Sequence, residues 1–265
     1  IWMGLIQTYD ASLKTDSPNH GRWKLPHGMK SLVGGAAVPE ALIRAFDRHG
    51  IWILQGWGMT ETSPVCTISY PRAELRDVSQ DERYRRAAMA GVPVPLVDLR
   101  VQGEDGPQPW DGQSVGEIQV RGPFITGSYH ETPVEAEKFT PDGWLRTGDL
   151  GHRDTDGFFF VTGRIKELII KGGENIAPRE IDEVLLRHPA VRDAAATGMP
   201  DAIYGQEILA GVVLREGQRE DEAALRAFCE KHLGRYKTPK VFLFLPELPR
   251  GPSGKVQRLK LLEML

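Results

Sequence analysis

Glycine and proline cut the apolar residues of this chain into short runs. The 265 residues include 29 glycines and 19 prolines, and the longest apolar stretches are of the size of Ile51 to Leu54 and Val241 to Leu245. A bilayer span needs ~20 consecutive apolar residues, so no transmembrane segment is expected. What remains is a mixture of short strands and short helices joined by turns. Hydrophobic residues make up 40% and charged residues 26%, the balance of a folded globular protein. The net charge is -3, with Lys and Arg spread along the chain, so no basic field points to a nucleic acid. Cys66 and Cys229 stand far apart and make no disulfide framework, which favours a reducing cytoplasm. The seven histidines form no metal-ligand spacing. The opening Ile1-Trp2-Met3-Gly4-Leu5-Ile6 has neither an initiator Met nor a signal-peptide layout. We expect the chain to begin inside a larger protein.

The pattern predicts a helix from Pro39 to His49, with Leu42, Ile43 and Phe46 on one face and Gly50 as its stop. A buried strand follows at Ile51 to Leu54. From about 90 to 161 short β-rich runs alternate with turns (Val97 to Val101, Glu117 to Arg121, Phe158 to Val161), interrupted by a helix at Thr132 to Phe139 with a capping box of Thr132 and Glu135 around Pro133. After Gly163 the pattern predicts strands at Leu168 to Ile170, Leu209 to Leu214 and Val241 to Leu245. Amphipathic helices are expected at Pro178 to His188 and Asp221 to Leu233.

Four segments carry chemistry. Gln55-Gly56-Trp57-Gly58-Met59-Thr60-Glu61-Thr62 follows the first strand. Its glycines admit a ligand close to the backbone, Trp57 offers a stacking face, Thr60 a hydroxyl, and Glu61 a hard oxygen for Mg²⁺. A turn around a buried Trp would read the same way. In Gly143-Trp144-Leu145-Arg146-Thr147-Gly148-Asp149, Asp149 could accept ribose hydroxyls or simply close a turn between strands. Gly163-Arg164-Ile165-Lys166-Glu167 runs on to Lys171-Gly172-Gly173-Glu174-Asn175-Ile176-Ala177-Pro178, a candidate linker and a mobile loop before a capped helix, or an ordinary connection. Pro249-Arg250-Gly251-Pro252-Ser253-Gly254-Lys255-Val256 fails the phosphate-loop pattern, because its first glycine is too close to the Lys and Val256 replaces Ser or Thr. It leaves Lys255 at a loop tip, free to reach out or merely solvated.

In order and spacing these segments resemble the acyl-adenylate-forming superfamily, over essentially the whole chain. Gly34-Gly35-Ala36-Ala37 matches the family's adenine and acyl-pocket segment, and Gly91-Val92-Pro93 and Gly116-Glu117-Ile118 match its β-subdomain. The resemblance implies an α/β and α+β fold. Residues 1–163 would be the C-terminal part of a large AMP-binding domain, with a β-subdomain at about 90–163. Residues 164–265 would be a small mobile lid hinged near Lys166. It implies binding of ATP or AMP through Gly34, Gly35, Ala36, Gln55, Gly56, Trp57, Gly58, Met59 and Thr60, with Thr60 on the α-phosphate and Glu61 on Mg²⁺. Asp149 would hold the ribose and Arg164 the ribose or phosphate. Gly172 and Gly173 would face the pantetheine of coenzyme A, and Lys255 would be the catalytic lysine. The lid would rotate between the two steps.

The run Trp57 to Pro64, with Gly172-Gly173-Glu174-Asn175-Ile176-Ala177-Pro178, is similar to bacterial medium- and long-chain fatty-acyl-CoA synthetases, and Trp2 would lie near the acyl chain or in the core. The resemblance thus implies a ligase joining a fatty or related carboxylic acid to coenzyme A, cytoplasmic, with a homodimer open to a full-length form. The runners-up are an acyl-AMP ligase or adenylation domain loading a carrier protein, and a truncated, non-catalytic nucleotide- or acyl-binding protein. The family's Ser/Thr/Gly-rich phosphate loop is missing from this stretch, so we expect a fragment that is inactive alone.

Overall fold

A computed structural model of the chain describes residues 2–73, 77–131, 138–252 and 254–265. It forms two compact units, Ile1–Thr147 with Gly151–Val161, and Gly148–Leu150 with Thr162–Leu265. The fold is mixed α/β with three sheets. Among the described residues no helix is long and apolar enough to cross a membrane.

The first unit begins with α1 (Trp2–Ser12), β1 (Lys30–Val33), α2 (Glu40–Asp47) and β2 (Trp52–Trp57). Leu42, Ile43 and Phe46 recur at helical spacing and bury one face of α2 against Ile6, Ile51 and Ile53. Trp2 joins this core, edge-on to Phe46 with ring centroids 5.7 Å apart. β1 and β2 pair in parallel, Leu32 opposite Leu54 and Val33 opposite Gln55. β3 (Thr67–Ile68) and β4 (Val92–Pro93) continue that sheet antiparallel. α3 (Gln80–Ala87) lies between them in sequence, capped by Ser79, whose hydroxyl accepts the Glu82 amide. A second sheet runs β5 (Asp98–Gln102), β6 (Gly116–Arg121), β7 (Leu145–Arg153), β8 (Phe159–Arg164). Alternation along β5 and β6 buries Leu99, Val101, Ile118 and Val120 in one cluster with Leu145 and Phe159.

The second unit is built on the antiparallel ladder of β11 (Val191–Asp201) and β12 (Gly205–Leu214). On the edge of β12 away from β11, β13 (Val241–Phe244) pairs in parallel with Leu209–Val212, and β9 (Ile169–Lys171), itself paired with β10 (Glu174–Ile176), joins at Gly205. α4 (Pro178–Leu186) and α5 (Glu222–Leu233) cover one face, through Ile181, Val184, Leu185, Leu225 and Cys229. Leu248 and Leu261 cover the other, against Ala195, Leu209 and Val213. Burial on both faces explains why Ile208 to Val213 reads as a continuous apolar run. Both cysteines are free and buried, and burial pushes each thiol up to about 11, so neither is a nucleophile near neutral pH.

Several elements differ from the sequence expectation. The strand expected to stop at Leu54 continues to Trp57, because Gly56 and Trp57 pair with Ile68 and Thr67. Asp149 lies inside β7, not at a turn. Pro39 is the N-cap of α2, one place before the first helical position. α4 starts from Ala177, which makes no side-chain cap. The expected helix at Thr132 to Phe139 falls mostly on 132–137, outside the described residues. β1, α3 and β11 have no counterpart in the sequence expectation, whereas α1 falls on the opening segment that reads as strand or helix. β11 reads Asp193-Ala-Ala-Ala-Thr-Gly, poor in the β-branched residues that signal a strand. α3 buries only Tyr84 and Ala87, and its signal was the Ser79…Glu82 capping spacing.

Glu82 ties the first turn of α3 to its last. It accepts hydrogen bonds at 2.7 Å from Arg85 Nε and Nη2 and from Arg86 Nε. The Arg85 bond above all holds its carboxyl down to about 2. Its folded pKa lies below the unfolded one, so its contribution is present above the ordinary carboxylate range and is lost as pH falls through the folded value. Denaturant unfolding of the first unit should therefore weaken from about pH 5 to about pH 2, and Glu82→Gln should flatten that part of the profile. An unchanged slope in Glu82→Gln would assign the acid sensitivity elsewhere.

Candidate functional site

In the first unit the expected residues converge beyond the carboxyl ends of β1 and β2, where ligands collect in α/β sheets. Gln55 is the anchor. Its side chain is buried, and Oε1 accepts the Val38 amide at 2.8 Å, while the Gln55 backbone N–H donates to Ser69 Oγ at 2.7 Å. The carboxamide thus pins the exposed Gly34-Gly35-Ala36-Ala37 loop onto β2, a positional role. Gly34 lies so close to β2 that a Cβ there would stand 2.9 Å from the Gly56 carbonyl.

After β2, Gly58 crosses over the Pro64 carbonyl. A Cβ at Gly58 would come within 2.1 Å of that backbone oxygen, so any other residue would force the chain apart. Thr62, fully buried, accepts the Met59 amide at 2.9 Å and donates towards the Pro64 carbonyl at 3.1 Å. This closes a 3-10 turn, Thr60–Thr62, that presents Thr60 to solvent and Glu61 half-buried. Tyr129 donates its hydroxyl to Glu61 Oε1 at 2.7 Å, and the Glu61 carbonyl accepts the Thr126 amide at 2.8 Å. Trp57 is part of the neighbouring apolar cluster, leaving a half-buried ring. Thr62 and Tyr129 were not read from the sequence. Thr62 sat within the motif at capping distance from Met59, whereas nothing local marks Tyr129, which lies 68 positions from Glu61.

Among the described residues no group of three His, Cys, Asp or Glu gathers to cage a metal. Glu61 suits Mg²⁺ held the other way, by one carboxylate together with substrate phosphates and water. The Tyr129 hydroxyl orients that carboxylate, as outer partners of metal ligands do.

In the second unit, Asp149 is buried and Arg164 Nε lies 2.9 Å from its Oδ1. This places an acceptor and a donor side by side, a pattern that suits vicinal hydroxyls. Lys166 is exposed in the 3-10 turn Ile165–Glu167. The loop expected at Gly172 and Gly173 is a two-residue hairpin turn between β9 and β10. Their φ of 54° and 88° are the left-handed values that a tight hairpin requires. The turn is fastened from below. Gly172 N–H donates to the Tyr204 carbonyl at 2.8 Å, and the Tyr236 hydroxyl donates to the Lys171 carbonyl. Lys171 is itself buried, with Nζ 2.8 Å from Glu207 Oε2 and 3.0 Å from the Tyr236 carbonyl. Sequence reading saw Lys171 only as the start of a motif; its partners stand 36 and 65 positions away.

Lys255 is exposed on a second hairpin, on a different element from the Gly172–Gly173 turn. Arg250 bridges Val256, the Gly251 amide donates to the Lys255 carbonyl at 2.9 Å, and the Gln257 amide donates to the Pro249 carbonyl at 2.8 Å.

Residues 1–130 match the model of the AMP-binding enzyme family, and residues 180–255 that of the AMP-binding enzyme C-terminal domain. The chain is 53% identical over 264 residues to the sulfoacetate–CoA ligase of Cupriavidus necator, covering 98% of this chain and 49% of that one. It is 37% identical over 243 residues to the long-chain-fatty-acid–CoA ligase of Thermus thermophilus, covering 89% and 45%. The structure resembles o-succinylbenzoate CoA synthetase from Bacillus subtilis in complex with an acyl-adenylate intermediate, with a TM-score of 0.75, 33% identity, and coverage of 90% of this chain and 47% of that one. The chain spans about half the length of the curated relatives it matches.

The anchoring role of Gln55 is testable by Gln55→Met, which keeps the volume and removes the acceptor. A buried donor left without a partner costs about 1–3 kcal/mol. Denaturant unfolding should show a loss of that size in the first unit, with faster amide exchange at Val38. Unchanged exchange there would show that the loop is held by other contacts.

Proposed function

Because the chain belongs to the AMP-binding enzyme family, we propose that it serves an AMP-forming ligase that activates a carboxylic acid with ATP and transfers the acyl group to coenzyme A. The observation that carries this reading is the oriented Glu61–Tyr129 pair on the turn after β2, in a chain whose relatives are CoA ligases.

In the first step a carboxylate oxygen attacks the α-phosphorus, an acyl-adenylate forms and pyrophosphate leaves. In the second the thiolate sulfur of coenzyme A attacks the acyl carbon and AMP leaves. The chain's own part in the first step is positioning and charge stabilisation. The Thr60 hydroxyl donates to an α-phosphate oxygen, and the Lys255 ammonium offsets the charge that builds there. Gly34, Gly35, Ala36 and Trp57 line the adenine, and Asp149 with Arg164 takes the ribose. Glu61 would hold Mg²⁺, which would supply positive charge against the phosphoryl oxygens. Gly172 and Gly173, free of side chains, admit the pantetheine arm in the second step, after a backbone change at Lys166.

The acid has two readings. The motif from Trp57 to Pro64 supports a fatty acid. The 53% identity to a sulfoacetate–CoA ligase, against 37% to a long-chain one, supports a short acid carrying a second anionic group. We rank the short acid first on that margin.

Pyrophosphate release by the protein that carries this chain, assayed with sulfoacetate, fatty acids and aryl acids, separates these readings. One class should stimulate release and yield a CoA thioester. Lys255→Ala should lower acyl-adenylate formation by about 10²–10³-fold, the scale of one lost charge-stabilising donor, while transfer from a supplied acyl-adenylate largely survives. Release independent of any acid would sink the proposal, and equal loss of both steps would remove Lys255 from its assigned role.

A further inference from the structure

The Lys255 hairpin needs a fixed base, since a lysine at the tip of an exposed turn has no geometry of its own. Three residues beyond Lys255, Arg258 supplies one, its side chain 18% exposed. Its Nη2 lies 2.5 Å from Asp182 Oδ2, and its Nη1 lies 3.2 Å from Asp182 Oδ1 and 2.8 Å from the Ala196 carbonyl. Nε lies 3.4 Å from Glu167, the residue after Lys166. Asp182 is buried, and its Oδ1 also accepts the Ala196 amide at 2.6 Å. One guanidinium therefore joins the segment after the hairpin to α4, to β11 and to the turn that carries Lys166.

The hairpin is also held by apolar packing, Leu248 just before it and Val256 within it lying in the cluster of Ala195, Leu209 and Val213. Arg250, at its other foot, pairs with Asp193 at 2.5 Å, but that pair is half-exposed and screened by water. Leu261 is fully buried but follows Arg258 and packs beneath the sheet. The planar, multidentate fork of an arginine gives directional restraint that an apolar contact does not.

We propose that Arg258 is a positioning residue for the adenylation step: its guanidinium sets where the Lys255 hairpin stands on its own unit. This rests on the assignment of Lys255 made above. Glu167 is the half-exposed arm of the same fork, so the position of the hairpin is sensitive to the backbone around Lys166. Arg258 does not touch the reacting atoms and has no part in transfer from a preformed acyl-adenylate.

The test must separate positioning from charge balance, because removing Arg258 alone leaves Asp182 buried without its counter-ion. Arg258→Met is therefore compared with the double variant Asp182→Asn/Arg258→Met, in which the introduced carboxamide keeps an acceptor for the Ala196 amide and no charge is stranded. Arg258→Met should be destabilised in denaturant unfolding, and the double variant should recover most of that loss. In the double variant, amide exchange at 249–257 should still be faster than in the unsubstituted chain, with exchange in β12 unchanged. Acid-dependent pyrophosphate release should fall by about a hundredfold, the scale of a misplacement of about 1 Å, and transfer from a supplied acyl-adenylate should stay near its original rate. Arg258→Lys should recover part of the first step. Slow hairpin exchange and full adenylation in the double variant would overturn the proposal and leave Arg258 as a counter-ion only. If the unsubstituted protein shows no acid-dependent release, the ligase reading fails, and the exchange measurement still decides whether Arg258 holds the hairpin.

Discussion

A glutamine side chain takes the place of a strand neighbour in the first unit. Where β1 ends at Val33 the sheet's own hydrogen bonds stop, and the chain turns through Gly34, Gly35, Ala36 and Ala37 before α2 begins. Gln55 Oε1 takes the buried Val38 amide, and Gly34 rests against the Gly56 carbonyl. A buried amide without an acceptor is costly, so this bond fixes the loop relative to β2. Gly34 meets the Gly56 carbonyl of β2 and Gly58 the Pro64 carbonyl of its own loop, and in both places backbone meets backbone where a side chain would keep the segments apart.

The second unit answers a similar problem with charge. Its β11–β12 ladder is covered on both faces, so polar groups drawn into it must be paired. Two pairs meet that condition. Lys171 and Glu207 sit beneath the Gly172–Gly173 turn, and Asp182 and Arg258 sit beneath the Lys255 hairpin. Each pair also bonds backbone, Lys171 to the Tyr236 carbonyl and Arg258 to the Ala196 carbonyl, so each restrains a segment as well as balancing a charge. The Gly172–Gly173 turn and the Lys255 hairpin therefore each stand on a largely buried ion pair. Such pairs add little net stability, because desolvation opposes their attraction, but they restrict geometry, which is what a group acting at a loop tip requires.

These two solutions suit different tasks. The turn after β2 presents Glu61 through a buried Thr, the distant Tyr129 hydroxyl and close backbone contacts, all within the first unit. The Lys255 and Gly172 turns lie on separate elements of the second unit, each fixed to its own part of the same sheet. A chemistry in two steps, with one turn serving each, fits that separation.

The sequence by itself determined the elements whose signal is local. The apolar stripes of α2, α4 and α5, the alternation in β5 and β6, and the apolar run of β12 all come from side-chain spacing, because burial selects one face of an element. The order of the Gly-rich segments was likewise enough to place the family. The sequence did not reveal β11, whose alanines carry no strand signal and become a strand only because β12 pairs with them. Nor did it show that Asp149 lies within a strand, or that Gln55, counted among the ligand residues, faces inward to hold Val38. Tyr129 on Glu61, Glu207 on Lys171, and Asp182 on Arg258 are likewise visible only in three dimensions. The physical reason is the same in each case. Which residues can form a helix, strand or turn is decided by neighbours within a few positions, whereas the partner of a buried polar group is decided by which distant segment the fold brings within hydrogen-bonding reach.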